Sequence, residues 1–254
     1  MDSEELRLIQ GLIRAEHSRK IFEKVFDART IRALHSLSQK KHFEQVEFVI
    51  KTGKEAHVFR AVDKSGNFKA VKIYKTDASD FGKMQEYIEG DRRFKKVKGT
   101  KRDIVNVWAK KEFRNLQDYR KAGIRVPMPI AVNENVLVME FIGKEGMAAK
   151  TLKEHKPENM AEFHKVMAEN MVKMLYKSRI IHADLSEYNI LNNNGEFVII
   201  DVGQGVSVSH PKAKEFFERD ARNISNFLAK NGEKTGFEEF LAEIKAKKPQ
   251  QKNP

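Results

Sequence analysis

The sequence predicts an α+β chain in two lobes, a small antiparallel β-sheet part followed by a mainly helical part, behind an N-terminal helical extension. Three observations carry this. Short β-like runs cluster between Val46 and Tyr74, and apolar residues recur at helical spacing before and after them. With 254 residues and 40% hydrophobic content, the chain can also bury a core large enough for one big domain or two lobes.

Taken in order, residues 1–40 form the extension, with Leu6, Ile9, Leu12 and Ile13, then Ile21, Phe22, Val25 and Phe26, at helical spacing. Residues 41–138 hold the sheet. Val46–Ile50, Val58–Val62 and Phe68–Tyr74 read as strands, and Asp63-Lys64-Ser65-Gly66-Asn67 as a hairpin turn. Residues 77–102 lack periodicity and culminate in Arg92-Arg93-Phe94-Lys95-Lys96-Val97-Lys98, which predicts a flexible basic loop. Ile104–Tyr119 is predicted helical: Ile104, Trp108, Leu116 and Tyr119 share a face with Glu112, and Gly123 marks the stop. Pro127 and Pro129 break the chain. Val136–Gly143 then reads as a buried strand running out at residues 139–143 into the linker between lobes. In residues 144–244, Phe163, Val166, Met167, Met171, Met174 and Leu175 define one helix, and Phe216, Phe217, Ile224, Phe227 and Leu228 another. Residues 245–254 are a basic tail.

Charge and composition narrow the partners. Lys and Arg number 48 against 36 Asp and Glu, a formal charge of +12 with a pI near 9.6, which favours acidic partners such as nucleic acid or ribonucleoprotein. There is no cysteine, hence no disulfide framework, thiolate metal site or thiol nucleophile. The acidic start lacks an apolar signal core and no run approaches the ~20 apolar residues of a membrane span. The expected location is cytoplasmic, without membrane contact.

The chemistry is written most clearly in His182-Ala183-Asp184-Leu185-Ser186-Glu187-Tyr188-Asn189, followed by Val198-Ile199-Ile200-Asp201. This is the kinase spacing H-x-D-x-x-x-x-N with a later Asp, in which one Asp takes a hydroxyl proton while the Asn and second Asp hold magnesium. Hard oxygen ligands suit that ion. Upstream, Ala70-Val71-Lys72 puts a lysine on the third strand. Glu112 lies forty residues later on an apolar helix face, where an unpaired carboxylate is costly, so a Lys72–Glu112 ion pair is expected. Between the first two strands, Thr52-Gly53-Lys54-Glu55-Ala56 stands where kinases carry a glycine-rich loop: Gly53 admits phosphate, and Lys54 offers it a cation. It is no Walker A loop, since Glu55 follows Gly53-Lys54. His182 lacks ligand-spaced partners and reads as structural.

These stretches, with Lys111-Glu112-Phe113-Arg114-Asn115-Leu116 and Met139-Glu140-Phe141-Ile142-Gly143, resemble the RIO atypical protein serine kinases over residues 40–230. The Gly-Lys-Glu-Ala loop and the His-Ala-Asp form point to the first subfamily and its small archaeal members. The resemblance implies a two-lobed protein-kinase-like fold without the peptide-docking subdomain, for which the 51 residues after Gly203 are too few. It implies ATP and magnesium, with manganese as the alternative ion. It implies Asp184 as catalytic aspartate, Asn189 and Asp201 as metal ligands, Lys72 on phosphate with Glu112 as partner, and backbone bonds from Glu140 and Ile142 to adenine. Asp201 is the residue proposed in the family to accept phosphate as an aspartyl intermediate, so ATP hydrolysis stands beside phosphorylation of a protein serine. The implied setting is maturation of the small ribosomal subunit, with pre-ribosomal RNA and protein as partners. Gly203-Gln204-Gly205 carries more glycine than the family's serine-containing form. Two rival readings share parts of the pattern: a small-molecule phosphotransferase of the aminoglycoside or choline kinase type, disfavoured by a lysine-rich end, and a non-catalytic nucleotide-binding ribosome assembly module.

Overall fold

The computed structural model describes residues 27–76, 81–91, 93–94 and 99–247. The apolar positions Leu6 to Phe26, Arg92, the run 95–98 and the tail from residue 248 lie outside the described residues. The chain divides into two compact units, one comprising Met1–Ile88, Lys96–Phe113 and Pro127–Ala148, the other Glu89–Lys95, Arg114–Val126 and Ala149–Pro254.

In the first unit, β1 (Gln45–Thr52), β2 (Ala56–Val62), β3 (Phe68–Tyr74), β4 (Pro129–Asn133) and β5 (Val136–Glu140) form an antiparallel sheet in the order β1-β2-β3-β5-β4. The β2–β3 turn closes because Asp63 Oδ1 accepts the backbone N–H groups of Ser65 and Asn67 (2.9 Å each), and Gly66 takes a left-handed φ of 81°. Pro129 opens β4 at the sheet edge, where its missing N–H costs little ladder bonding.

Helix α1 (Ala28–Gln39) starts at Asp27, whose carboxylate accepts Thr30 N–H at 2.9 Å, an N-cap. Its Ile31, Leu34 and Leu37 join Phe59, Val71 and Val138 in one buried cluster. The described end of the predicted extension is therefore part of the sheet unit's core. β6 (Gly143–Lys144) and β7 (Met147–Ala148) form a hairpin that Arg60 ties back to the sheet. The Arg60 guanidinium sits 4.2 Å from the Phe48 ring centre and 4.4 Å from that of Phe68, and donates to Glu47 (2.6 Å) and to Gly146 O (2.5 Å). The unit accordingly runs on to Ala148, past the linker expected at 139–143.

The flexible loop expected over 77–102 is corrected in part: Phe81–Glu89 is a helix, α2. Met84 and Ile88, one turn apart, are buried, and Tyr87 meets Trp108 edge-on at 6.1 Å between ring centres. Phe81, Met84 and Ile88 do stand at helical spacing, but over two turns and with Gly82 among them the run is too short to stand out in the sequence. Helix α3 (Lys101–Lys121) follows, started by Asp103, which accepts the N–H and hydroxyl of Thr100 at 2.8 Å each. Its residues to Phe113 belong to the first unit and those from Arg114 to the second.

The second unit contains β8 (Lys150–Thr151), α4 (Met160–Lys173), β9 (Ile180–Ile181), β10 (Ile190–Asn193), β11 (Glu196–Ile199), β12 (Val206–Ser207), α5 (Ala213–Lys230) and α6 (Phe237–Ala246). The predicted helix through Leu175 changes to a π-helical turn at Met174–Ser178, just before β9. The sequence reading assigns no element to α6, although Phe237, Phe240, Leu241 and Ile244 have helical spacing; the last three are buried. Phe163 of α4 centres the core, edge-on to Phe197 at 5.0 Å and to Phe227 at 5.5 Å.

Candidate active site

The first unit supplies a buried ion pair and a turn. Lys72 on β3 is 6% exposed and Glu112 on α3 is 1% exposed. Lys72 Nζ donates to both carboxylate oxygens of Glu112, at 2.9 and 2.8 Å, and the Tyr74 hydroxyl donates to the same carboxylate. The pairing answers the cost that each charge would meet alone in that interior. Lys75 pins the β1–β2 turn twice: its N–H donates to Glu55 O and its Nζ to Gly53 O, both at 2.8 Å. Gly53 uses its own N–H on Ala56 O at 2.9 Å. Its contribution is therefore the room left by a missing side chain, beside an exposed Lys54. Glu140 ends β5, where its N–H donates to Met128 O (2.8 Å) and its carboxylate accepts Met128 N–H (2.9 Å), while Ile142 is buried two residues on.

The second unit gathers Asp184, Asn189 and Asp201 through a hairpin. β10 and β11 pair from Ile190↔Ile199 to Asn193↔Glu196 around a turn in which Asn194 and Gly195 both have positive φ (54° and 90°), the type I′ signature. Ile200 N–H donates to Asn189 O at 2.9 Å, extending the ladder by a step. Asn189 and Asp201 thus leave neighbouring ends of one hairpin. The Asn189 amide nitrogen donates to Asp184 O at 2.9 Å and to Asp184 Oδ2 at 3.0 Å. With the amide so oriented, its oxygen remains for a cation. Burial raises the pKa of Asp184 above its ordinary value, opposed among others by the bond from Asn189.

His182, read from the sequence as structural, bonds to backbone on both sides of its ring. Its Nδ1 accepts the N–H of Asp184 (3.3 Å) and its Nε2 meets Ile200 O (3.0 Å), which fixes the proton on Nε2. Ala183 and Asp201 hold left-handed φ values of 66° and 58° without being glycine, a strain that persists only where neighbours impose it. For Ala183 the neighbour is Asp220 of α5, fully buried, which accepts Ala183 N–H at 2.8 Å and Leu185 N–H at 2.9 Å. Burial pushes the Asp220 carboxyl up to about 7. Arg219 donates to Ala183 O, and Asn223 to Leu185 O at 3.0 Å. Sequence reasoning missed Asp220, although a carboxylate among Phe216, Phe217, Ala221 and Ile224 on an apolar helix face gives the same signal that singled out Glu112.

Among the described residues no cluster of three or more His, Cys, Asp or Glu could hold a metal by itself. A cation held here could draw on the Asn189 amide and Asp201, completed by ligands from outside the chain. That donor set fits magnesium, which keeps waters and substrate phosphates in its shell. No described helix is long and apolar enough to cross a membrane.

An antiparallel sheet unit with a strand lysine paired to a helix glutamate, and a helical unit with an Asp-Asn loop and hairpin aspartate, define the two-lobed α+β class of protein kinases. A Rio2 kinase from Chaetomium thermophilum shares the fold, with TM-score 0.62 and 19% identity over 97% of this chain and 91% of that one; it was solved as an ADP/Mg2+-phosphoaspartate complex. The RIO domain matches residues 57–240, and the chain belongs to that family. It is 45% identical over 213 residues to the RIO-type serine/threonine-protein kinase Rio1 of Haloferax volcanii, covering 84% of this chain and 73% of that protein. Against the Rio1 kinase of Thermoplasma acidophilum it is 41% identical, over 75% of this chain and 100% of that one.

Proposed function

We propose that the chain is an ATP- and magnesium-dependent serine/threonine protein kinase and ATPase. The observation that carries this reading is the Asn189 amide bridging to Asp184 at the mouth of the hairpin that also delivers Asp201. Lys72, held by Glu112, and Lys54 bind phosphates, and the backbone at Glu140 and Ile142 binds adenine. Asn189 and Asp201 would hold magnesium, which when bound neutralises charge on the transferring phosphate. Asp184 orients the acceptor hydroxyl and takes its proton. In the hydrolytic branch an Asp201 carboxylate oxygen attacks the γ-phosphorus, ADP leaves, and water cleaves the acyl phosphate to release inorganic phosphate. The proposed setting is assembly of the small ribosomal subunit in the cytoplasm, supported by the basic charge and the family membership.

Transfer from γ-labelled ATP tests it. Asp201→Ala is expected to lower turnover by roughly a hundredfold or more, and Lys72→Ala to act mainly on nucleotide binding. Hydroxylamine-labile label on the wild type marks an aspartyl phosphate, whereas stable label on an added protein marks serine transfer. Full turnover by Asp201→Ala refutes the assignment.

A further inference from the structure

Asp201 is held at a left-handed φ of 58° and opens the 3-10 turn Val202–Gln204, which Gly205 closes with its N–H on Val202 O at 3.1 Å. A non-glycine residue kept in that conformation directs attention to what holds the turn after it. Two residues remote in sequence but within the same unit hold that turn. Asn115, fully buried on α3, donates from its amide nitrogen to Val202 O at 2.7 Å and to Gly205 O at 3.0 Å. Arg93 donates from Nη2 to Gly205 O at 3.3 Å and from Nη1 to the Asn115 amide oxygen at 2.8 Å, which orients that amide. Asp91, 1% exposed, holds Arg93 in turn through both carboxylate oxygens, at 2.6 to 3.1 Å. A Cβ on Gly205 would stand 2.9 Å from the Asn115 amide nitrogen and 3.0 Å from Val202 O, so Gly205 lets the clamp approach closely.

We infer that Asn115 and Arg93 are positioning residues for Asp201: they clamp the two carbonyls that flank its turn, so the carboxylate's aim depends on an arginine supplied by the basic segment after α2. This rests on the assignment of Asp201 as metal ligand and phosphate acceptor. Both residues spend their bonds on the turn after Asp201 and on each other, so the clamp is expected to govern how the divalent ion is met, not how adenine is held.

The test pairs a measurement made without nucleotide or metal with one made during turnover. Amide hydrogen exchange on the full chain should show Gly203–Val206 protected in the wild type. In Arg93→Ala and Asn115→Ala that protection should fall by about tenfold or more, with α5 unchanged. In the same variants the magnesium concentration for half-maximal turnover should rise about tenfold while the apparent KM for ATP at saturating magnesium stays within about twofold. Arg93→Lys, able to make one bond to Gly205 O or Asp91, should lie between. Gly205→Ala, which crowds the clamp, should reproduce the Asn115→Ala pattern. The inference fails if Arg93→Ala and Asn115→Ala keep wild-type exchange and magnesium dependence. It fails too if protection is lost equally across α5, which would mark mere structural damage. Asp201→Ala run alongside separates the two claims: full turnover there removes the catalytic reading, whereas an inactive Asp201→Ala beside wild-type-like Arg93→Ala removes only the clamp.

Discussion

Lys72 and Glu112 are charges that the sheet unit can bury only together. Removing the carboxylate with Glu112→Ala leaves an ammonium in the interior, at a cost of about 3 kcal/mol in urea unfolding, with loss of ATP turnover. Replacing both, as Lys72→Met with Glu112→Leu, should recover most of the stability and none of the activity. A double variant as unstable as Glu112→Ala would sink this account. Asp220 makes the opposite case, an acid raised by burial to about 7 from an unfolded value of 3.8. Between those values the folded chain carries a proton that the unfolded chain has lost. The stability this group contributes is thus complete below about 4 and is lost as pH rises to about 7. Measured by denaturation, the wild type should lose stability relative to Asp220→Asn across that window and run parallel to it above. A gap that widens with pH reverses the sign and removes the argument. Asp220→Asn also deprives Ala183 or Leu185 N–H of an acceptor, so kcat should fall about tenfold or more. At this scale the sequence exposed charges that violate their surroundings, such as Glu112, and motif residues at fixed spacing. Asn115 was not legible: a neutral amide in a helix carries no such conflict, and its targets are backbone carbonyls some ninety residues away.

Strand β3 was read from Phe68 to Tyr74 because a β-branched and aromatic run follows a clear turn signal, and α3 to within a few residues because its apolar period runs over several turns. Helix α2 failed that test because Phe81, Met84 and Ile88 span only two turns, with Gly82 inside them. The hairpin β10–β11 matters more, since its register alone brings Asn189 beside Ile200 and Asp201. Its turn rests on Gly195 at a φ of 90° with nothing within 4 Å of an added Cβ, so the penalty for alanine there is conformational rather than steric. Gly195→Ala should cost about 1 kcal/mol, a fall in Tm of a few degrees, with kcat within about twofold. A large loss of turnover at unchanged Tm would mean that the turn, and not the ladder behind it, aims Asn189.

Across the whole chain, the formal charge of +12 is more than the active site needs. Lys72 is neutralised by Glu112 and Arg93 by Asp91, so the net excess comes from other lysines and arginines, which among the described residues are mostly exposed. Such a surface binds a polyanion by releasing the counterions condensed on it, and that mechanism has a thermodynamic signature. Affinity for a structured RNA, followed by fluorescence anisotropy with nucleotide absent, should fall by roughly tenfold or more between about 50 and about 200 mM monovalent salt, with log K linear in log salt. Scrambled RNA of equal length should bind nearly as well, since phosphate contacts carry no base information. Glu112→Ala, which unmasks one buried cation and nothing on the surface, should leave the slope unchanged. Binding indifferent to salt would mean that the excess charge serves only solubility, and the proposed pre-ribosomal setting would lose its physical support in this chain.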